Sequence, residues 1–143
     1  MPSSDATSRA AASGTRRRVF TPREANLALP LVRRIVADVV EQYRELLALA
    51  QQYERQPSPE LKDEIHTIDD RLRDLIEEIG DIGVQLKDLE VGLVDFPARA
   101  NGHDILLCWK LGEPAVAFWH DCNAGFAGRQ SIPEHFAASE RSA

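Results

Sequence analysis

The residue types best suited to chemistry gather in the last third of the chain: Asp95, Glu113, His120, Cys122 and Arg129. His120 ends an otherwise apolar row and is followed by Asp121 and Cys122. An imidazole beside carboxylates titrates near neutral pH, so it can serve as a general base or bind a metal. In a continuous strand Cys122 would share the face of His120, which makes these two the weak metal candidates. A zinc site needs two further ligands that the spacing does not supply. A buried histidine satisfied by one carboxylate or one carbonyl is the plainer alternative.

The segment Gly125-Phe126-Ala127-Gly128-Arg129-Gln130 places two glycines around an aromatic residue. Such a turn can expose backbone amides, and with Arg129 it could hold a carboxylate or phosphate group. It lacks the lysine and Ser/Thr of a P-loop, so nucleotide hydrolysis is not indicated. The alternative is a wrap in which Phe126 plugs the sheet and Arg129 pairs with Asp95, Glu113 or Asp121. Glu113, in a turn before Pro114, can accept from a backbone amide, and Asp95 has Lys110 as a diagonal partner. His66, Asp69 and Asp70 have metal-ligand spacing on a helix, but they lie on a charged face that reads as solvated. The candidate ligand-binding residues are therefore Asp95, Glu113, His120 and Arg129. No complete nucleophile–base set is visible, and neither a cofactor nor a reaction is implied.

The elements that must position these groups begin at Phe20-Thr21-Pro22-Arg23-Glu24. Thr21 caps, Pro22 takes the first helical position, and Glu24 completes a capping box. Pro30 cannot donate to the carbonyl of Asn26, so a short helix is expected to stop there and a second to begin. Val32, Val36, Val39, Tyr43, Leu46, Ala50 and Tyr53 then recur at spacings of four and three, a heptad seam. After the break at Pro57-Ser58-Pro59, Leu61, Ile65, Ile68, Leu72, Leu75, Ile79, Ile82, Leu86 and Leu89 repeat the pattern. Two such helices form an antiparallel hairpin whose shorter arm is roughly 37 Å long at 1.5 Å per residue. Val40, Leu47, Leu49 and Ile76 widen its apolar face, which points to a homodimer or higher homo-oligomer through the helices. Gly80 and Gly83 near the end of the second helix mark either a close approach or a frayed end.

After Glu90 the hydrophobic period changes to two. Gly92 to Phe96 reads as a strand ended by Pro97, Asn101-Gly102 as a type I′ hairpin, and Asp104 to Lys110 as the next strand. A turn at Leu111 to Pro114 leads to a third strand, Ala115 to His120. Pairing Ala100 with His103 sets Phe96 opposite Leu107, and pairing Lys110 with Ala115 sets Leu107 opposite Phe118. That register puts Val94, Phe96, Ile105, Leu107, Trp109, Val116, Phe118 and His120 on the core face. The expected fold is α+β: a short helix, a long helical hairpin, and a three-stranded antiparallel meander with a C-terminal loop wrap.

The 143 residues, 43% hydrophobic and 28% charged, suit one α+β domain over 20–133, helical over 20–90 and meander with loop over 91–133. The flanks 1–19 and 134–143 read as disordered tails. The net charge of -6 divides into four arginines against Asp5 in the first 19 residues, 12 basic against 20 acidic side chains over 20–133, and a further -1 at the end. A body at -8 makes nucleic acid an improbable partner, and no apolar run is long enough to span a bilayer. Two cysteines outside any Cys-x-x-Cys pair suit free thiols and a cytoplasmic setting.

GLVDFP (92–97), LCWKLGEP (107–114) and WHDCNAGFAGRQ (119–130), after an FTPREAN start and a helical hairpin, resemble an uncharacterised bacterial domain-of-unknown-function family, number twenty-two-zero-three. The resemblance covers about 19–133. Ser131 stands where many relatives carry proline. It implies the hairpin-plus-strands fold and assigns no activity, substrate or cofactor. The functional expectation is a small self-associating protein with a small-ligand or anion site at the sheet and C-terminal loop. The alternatives are a coiled-coil assembly module without a ligand site, and a metal-binding protein or metal-dependent enzyme using His120.

Overall fold

The computed structural model describes residues 18–133. The stretches read as tails lie outside them except for Arg18 and Val19, and the Arg18 guanidinium stands 4.6 Å over the ring of Phe20. The first helix, α1, spans Pro22–Arg55. Its start is the expected capping box: Thr21 Oγ1 accepts from the Glu24 amide and Glu24 Oε1 from the Thr21 amide, each at 3.0 Å. The expected break at Pro30 is absent, and the short helix and its successor are one. A proline inside a helix costs about 3 kcal/mol. Ala25, Leu29, Val32, Ile35 and Val36, all buried on either side of it, contribute more than that together, at about 1.5–3 kcal/mol for each large side chain.

The second helix, α2, spans Pro59–Ile82 and is capped by Ser58 Oγ, which accepts from the Leu61 amide at 3.1 Å. The hairpin is buried at its base and half-open at its tip. Val32, Val36 and Val39 are fully buried, whereas Tyr43, Leu46 and Tyr53, and Leu61 and Ile65 opposite, keep partial exposure. Although the four-three spacing runs on to Leu89, α2 ends at Ile82 because Gly83 turns left-handed at φ 101°. A Cβ on Gly83 would stand 2.8 Å from the Arg18 Cβ, while nothing approaches Gly80, so only one of the two glycines marks a close approach.

Five antiparallel strands follow in the order β1 to β5: Gln85–Asp88, Leu93–Ala100, His103–Lys110, Phe118–Asp121 and Gln130–Ser131. The meander of three strands is thus the centre of a larger sheet. Leu86, read as helical seam, belongs to β1. β2 runs through Pro97 to Ala100 because β1 pairs only with Leu93–Asp95, leaving the far half of β2 an edge where a missing N–H costs no ladder bond. The Pro97 carbonyl on that edge accepts from the Phe20 amide at 2.7 Å.

The β2–β3 register is as expected, Ala100 opposite His103 and Phe96 opposite Leu107, across a turn whose Asn101 and Gly102 have φ of 54° and 80°. The β3–β4 register is shifted by one: Leu107 faces Trp119, and Cys108 faces Phe118. The cause lies in α1. Asn26 Oδ1 accepts from the Val116 amide at 2.8 Å and its Nδ2 donates to the Val116 carbonyl at 3.1 Å. Val116 is thereby held in the core as irregular chain, and the strand begins at Phe118 instead of Ala115. A slip of one residue reverses every side chain. Val94, Phe96, Ile105, Leu107 and Trp109 do pack in the core with α1 and α2, but His120 and Phe118 stand on the opposite, outer face.

Candidate functional site

The slip brings His120 opposite Leu106, in the row next to Cys108 and Asp95, which are themselves cross-strand partners. One donor atom from each of Asp95, Cys108 and His120 lies within 4.8 Å of the others, and all three residues are buried. His120 Nε2 stands 3.2 Å from Asp95 Oδ1, and its Nδ1 stands 2.7 Å from the Asp121 carbonyl oxygen. The expected Lys110 partner of Asp95 is not used: the Lys110 ammonium sits 5.6 Å over the ring of Phe126.

These distances fix a proton count. A carbonyl oxygen only accepts, so Nδ1 of His120 carries hydrogen. Nε2 and Oδ1 then face each other across 3.2 Å, and two lone pairs hold that distance only with something positive between them. That is either a proton, giving a buried imidazolium–carboxylate pair or its neutral tautomer, or a metal ion. Burial, and then the Asp95 charge beside it, push the Cys108 thiol up to about 12. By itself this thiol is no nucleophile near neutral pH.

Glu113 and Arg129 form the second half of the outer face. Arg129 Nη1 and Nη2 donate to Glu113 Oε2 and Oε1 at 2.7 Å each, and Nη2 also reaches the Cys108 carbonyl at 3.4 Å. The guanidinium lies between the rings of Phe118 and Phe126, at 4.1 and 4.5 Å. Glu113 further accepts from the Lys110 amide at 2.9 Å, and its carbonyl from the Trp109 indole at 3.0 Å. Burial alone would raise the Glu113 carboxyl, but the bonds from Arg129 and the Lys110 amide outweigh it and hold the group below its ordinary value. Of the partners weighed for Arg129, Glu113 is the one it takes, and Phe126 lies over it as a half-exposed lid. An anion at this guanidinium would have to displace Glu113.

The four candidates Asp95, Glu113, His120 and Arg129 thus share one face of the sheet, linked through Cys108. Cys122 does not join them: β4 ends at Asp121, and the exposed Cys122 thiol donates to the Asp104 carbonyl at 3.5 Å. It lines an open groove of about 660 Å³ with His103, Asp104, Asp121, Asn123 and Ala124. On α2, Asp69 pairs with Arg73 at 2.9 Å on an exposed face, away from any ligand role with His66. Cys108 is the residue that sequence reasoning missed. Its pairing with Asp95 was available from the Asn101-Gly102 turn, but the wrong β4 register kept His120 away from both.

Residues 18–132 match the family described as "Uncharacterized conserved protein (DUF2203)". The chain belongs to that family. The match covers nearly all the described residues, so hairpin, sheet and site all fall within the family region. No curated protein and no solved structure is significantly similar to the chain. Among the described residues no helix is long and apolar enough to cross a membrane.

Proposed function

We propose that this DUF2203 protein is a small binding protein whose ligand site is the His120–Asp95–Cys108 half of the outer sheet face. The observation that supports the reading is the burial of two ionisable partners, Asp95 at 3% and His120 at 2% exposure, where apolar side chains would fill the same space. A buried ion pair is often no more stabilising than an apolar replacement, whereas removing one partner costs about 3–5 kcal/mol. The Arg129–Glu113 half, paired through both Nη atoms while the buried Arg129 Nε has no hydrogen-bond partner among the described residues, anchors the C-terminal segment. The test is urea unfolding of Asp95→Asn, His120→Gln and the double variant Asp95→Val with His120→Leu. The single variants are expected to lose about 3–5 kcal/mol, and the double variant to lie within about 1 kcal/mol of wild type or above it. A double variant as unstable as the singles would make the pair a structural pin and remove the reading.

A second reading concerns the helices and is compatible with the first: the hairpin mediates self-association. It is favoured by Leu47 at 43% and Ile76 at 37% exposure, beside a seam that stays half-open toward the tip. A second copy presenting the same heptad face would cover both. A protein that remains monomeric at micromolar concentration removes this reading.

A further inference from the structure

We infer that Asp95, Cys108 and His120 form a mononuclear site for a divalent transition-metal ion of zinc's class, held by the Asp95 carboxylate, Cys108 Sγ and His120 Nε2. The inference deepens the ligand reading above and rests on it. Two independent features carry it. First, His120 is arranged as a metal-bound histidine is: one ring nitrogen donates to a backbone carbonyl, that of Asp121 at 2.7 Å, which orients the ring and assigns the other nitrogen to the cation side. Second, that other nitrogen points at a carboxylate oxygen 3.2 Å away, with a thiol in the same buried group. Zinc bonds of about 2.0–2.3 Å place tetrahedral donors roughly 3.3–3.7 Å apart. The His120–Asp95 separation of 3.2 Å lies just below this range, and the thiol, within 4.8 Å of both, needs a shift of roughly 1 Å.

The donor set selects the ion. One nitrogen, one oxygen and one sulfur suit zinc and its neighbours, whereas magnesium and calcium require mainly oxygen ligands. Charge also fits. A divalent cation with one thiolate and one carboxylate is neutral, as a buried site requires. Arg129, the cation nearest Cys108, is compensated by its bidentate bond to Glu113, so it does not oppose a second positive charge. Three protein ligands leave the fourth position open to water or a small ligand.

Binding must displace the thiol proton of Cys108 and the proton shared by His120 and Asp95, about two protons per ion. The full chain, stripped with a chelator, is titrated with Co²⁺ and then Zn²⁺. The expected result is one ion per chain, the visible absorption of four-coordinate Co²⁺, and a near-ultraviolet thiolate charge-transfer band, all displaced by Zn²⁺. Binding heats in buffers of different ionisation enthalpy are expected to report the two protons. Cys108→Ser removes the charge-transfer band and weakens binding by more than the roughly 10–100-fold that loss of an outer-shell partner costs, whereas Cys122→Ser changes neither. A wild-type chain that takes up neither ion overturns the inference, as does a thiolate band that survives Cys108→Ser. If uptake fails while the Asp95→Val, His120→Leu double variant stays stable, only the metal assignment falls. If uptake fails and that variant unfolds, the ligand reading falls with it.

Discussion

At the scale of single residues, the outer face of the sheet holds two polar groups of different kinds. Glu113 and the two Nη atoms of Arg129 pair through two bonds of 2.7 Å, the guanidinium lies against two aromatic rings, and the buried Arg129 Nε has no partner among the described residues. His120 and Asp95 face each other with a proton or a metal ion still to be placed between them. The first group has a pH signature. The Glu113 carboxyl lies below its ordinary value of 4.5 in the folded chain, so its stabilising contribution is complete above the unfolded value. It is lost as pH falls through the depressed folded value. Urea unfolding of wild type and Glu113→Gln is expected to differ near neutral pH and to converge under acid conditions. A difference that persists unchanged at low pH would show that the ion pair is not its source. Sequence patterns made all four candidate residues visible, since glycines, a proline-flanked turn and an apolar row ending in histidine single them out. They did not make Cys108 visible as a partner, because a lone cysteine in an apolar strand looks like a small hydrophobe.

At the scale of elements, what could be read in advance was fixed by local chemistry. The capping box at Thr21, the Ser58 cap and the Asn101-Gly102 turn each act within four residues, and each is present as expected. The readings that failed depended on contacts distant in sequence. The helix continues through the exposed Pro30 because its neighbours Leu29 and Val32 are buried in the core, and β2 passes Pro97 because β1 is too short to pair there. The β4 register is set by Asn26, 90 residues before Val116. The last of these decides which face His120 occupies and therefore whether a site exists. Asn26→Ala leaves a buried Val116 amide and carbonyl without partners and is expected to cost about 2 kcal/mol or more. Hydrogen exchange should show the Val116 amide losing protection while amides of the β2–β3 ladder keep theirs. Protection unchanged at Val116 would mean that another contact sets the register. Gly92 makes a comparable demand, since a Cβ there, at φ 76°, would stand 2.9 Å from both Leu111 and Val36.

At the scale of the whole molecule, the sheet covers the base of the hairpin and leaves the seam half-exposed toward the tip. The sequence charge of -6 is distributed accordingly. Much of the acidity lies along the exposed helix faces between Asp38 and Asp81, so it solvates the arms and does not describe the site. On the sheet, Arg129 is cancelled by Glu113, and the His120–Asp95–Cys108 group needs a positive partner. In the proposed assembly, a helical scaffold self-associates and each sheet carries one cation. Native mass spectrometry of the full chain after zinc exposure and desalting reads both properties in one spectrum. An assembly of two or more chains with one zinc per chain, the metal lost in His120→Gln, is the expected result. A metal-free single chain under the same conditions would contradict it.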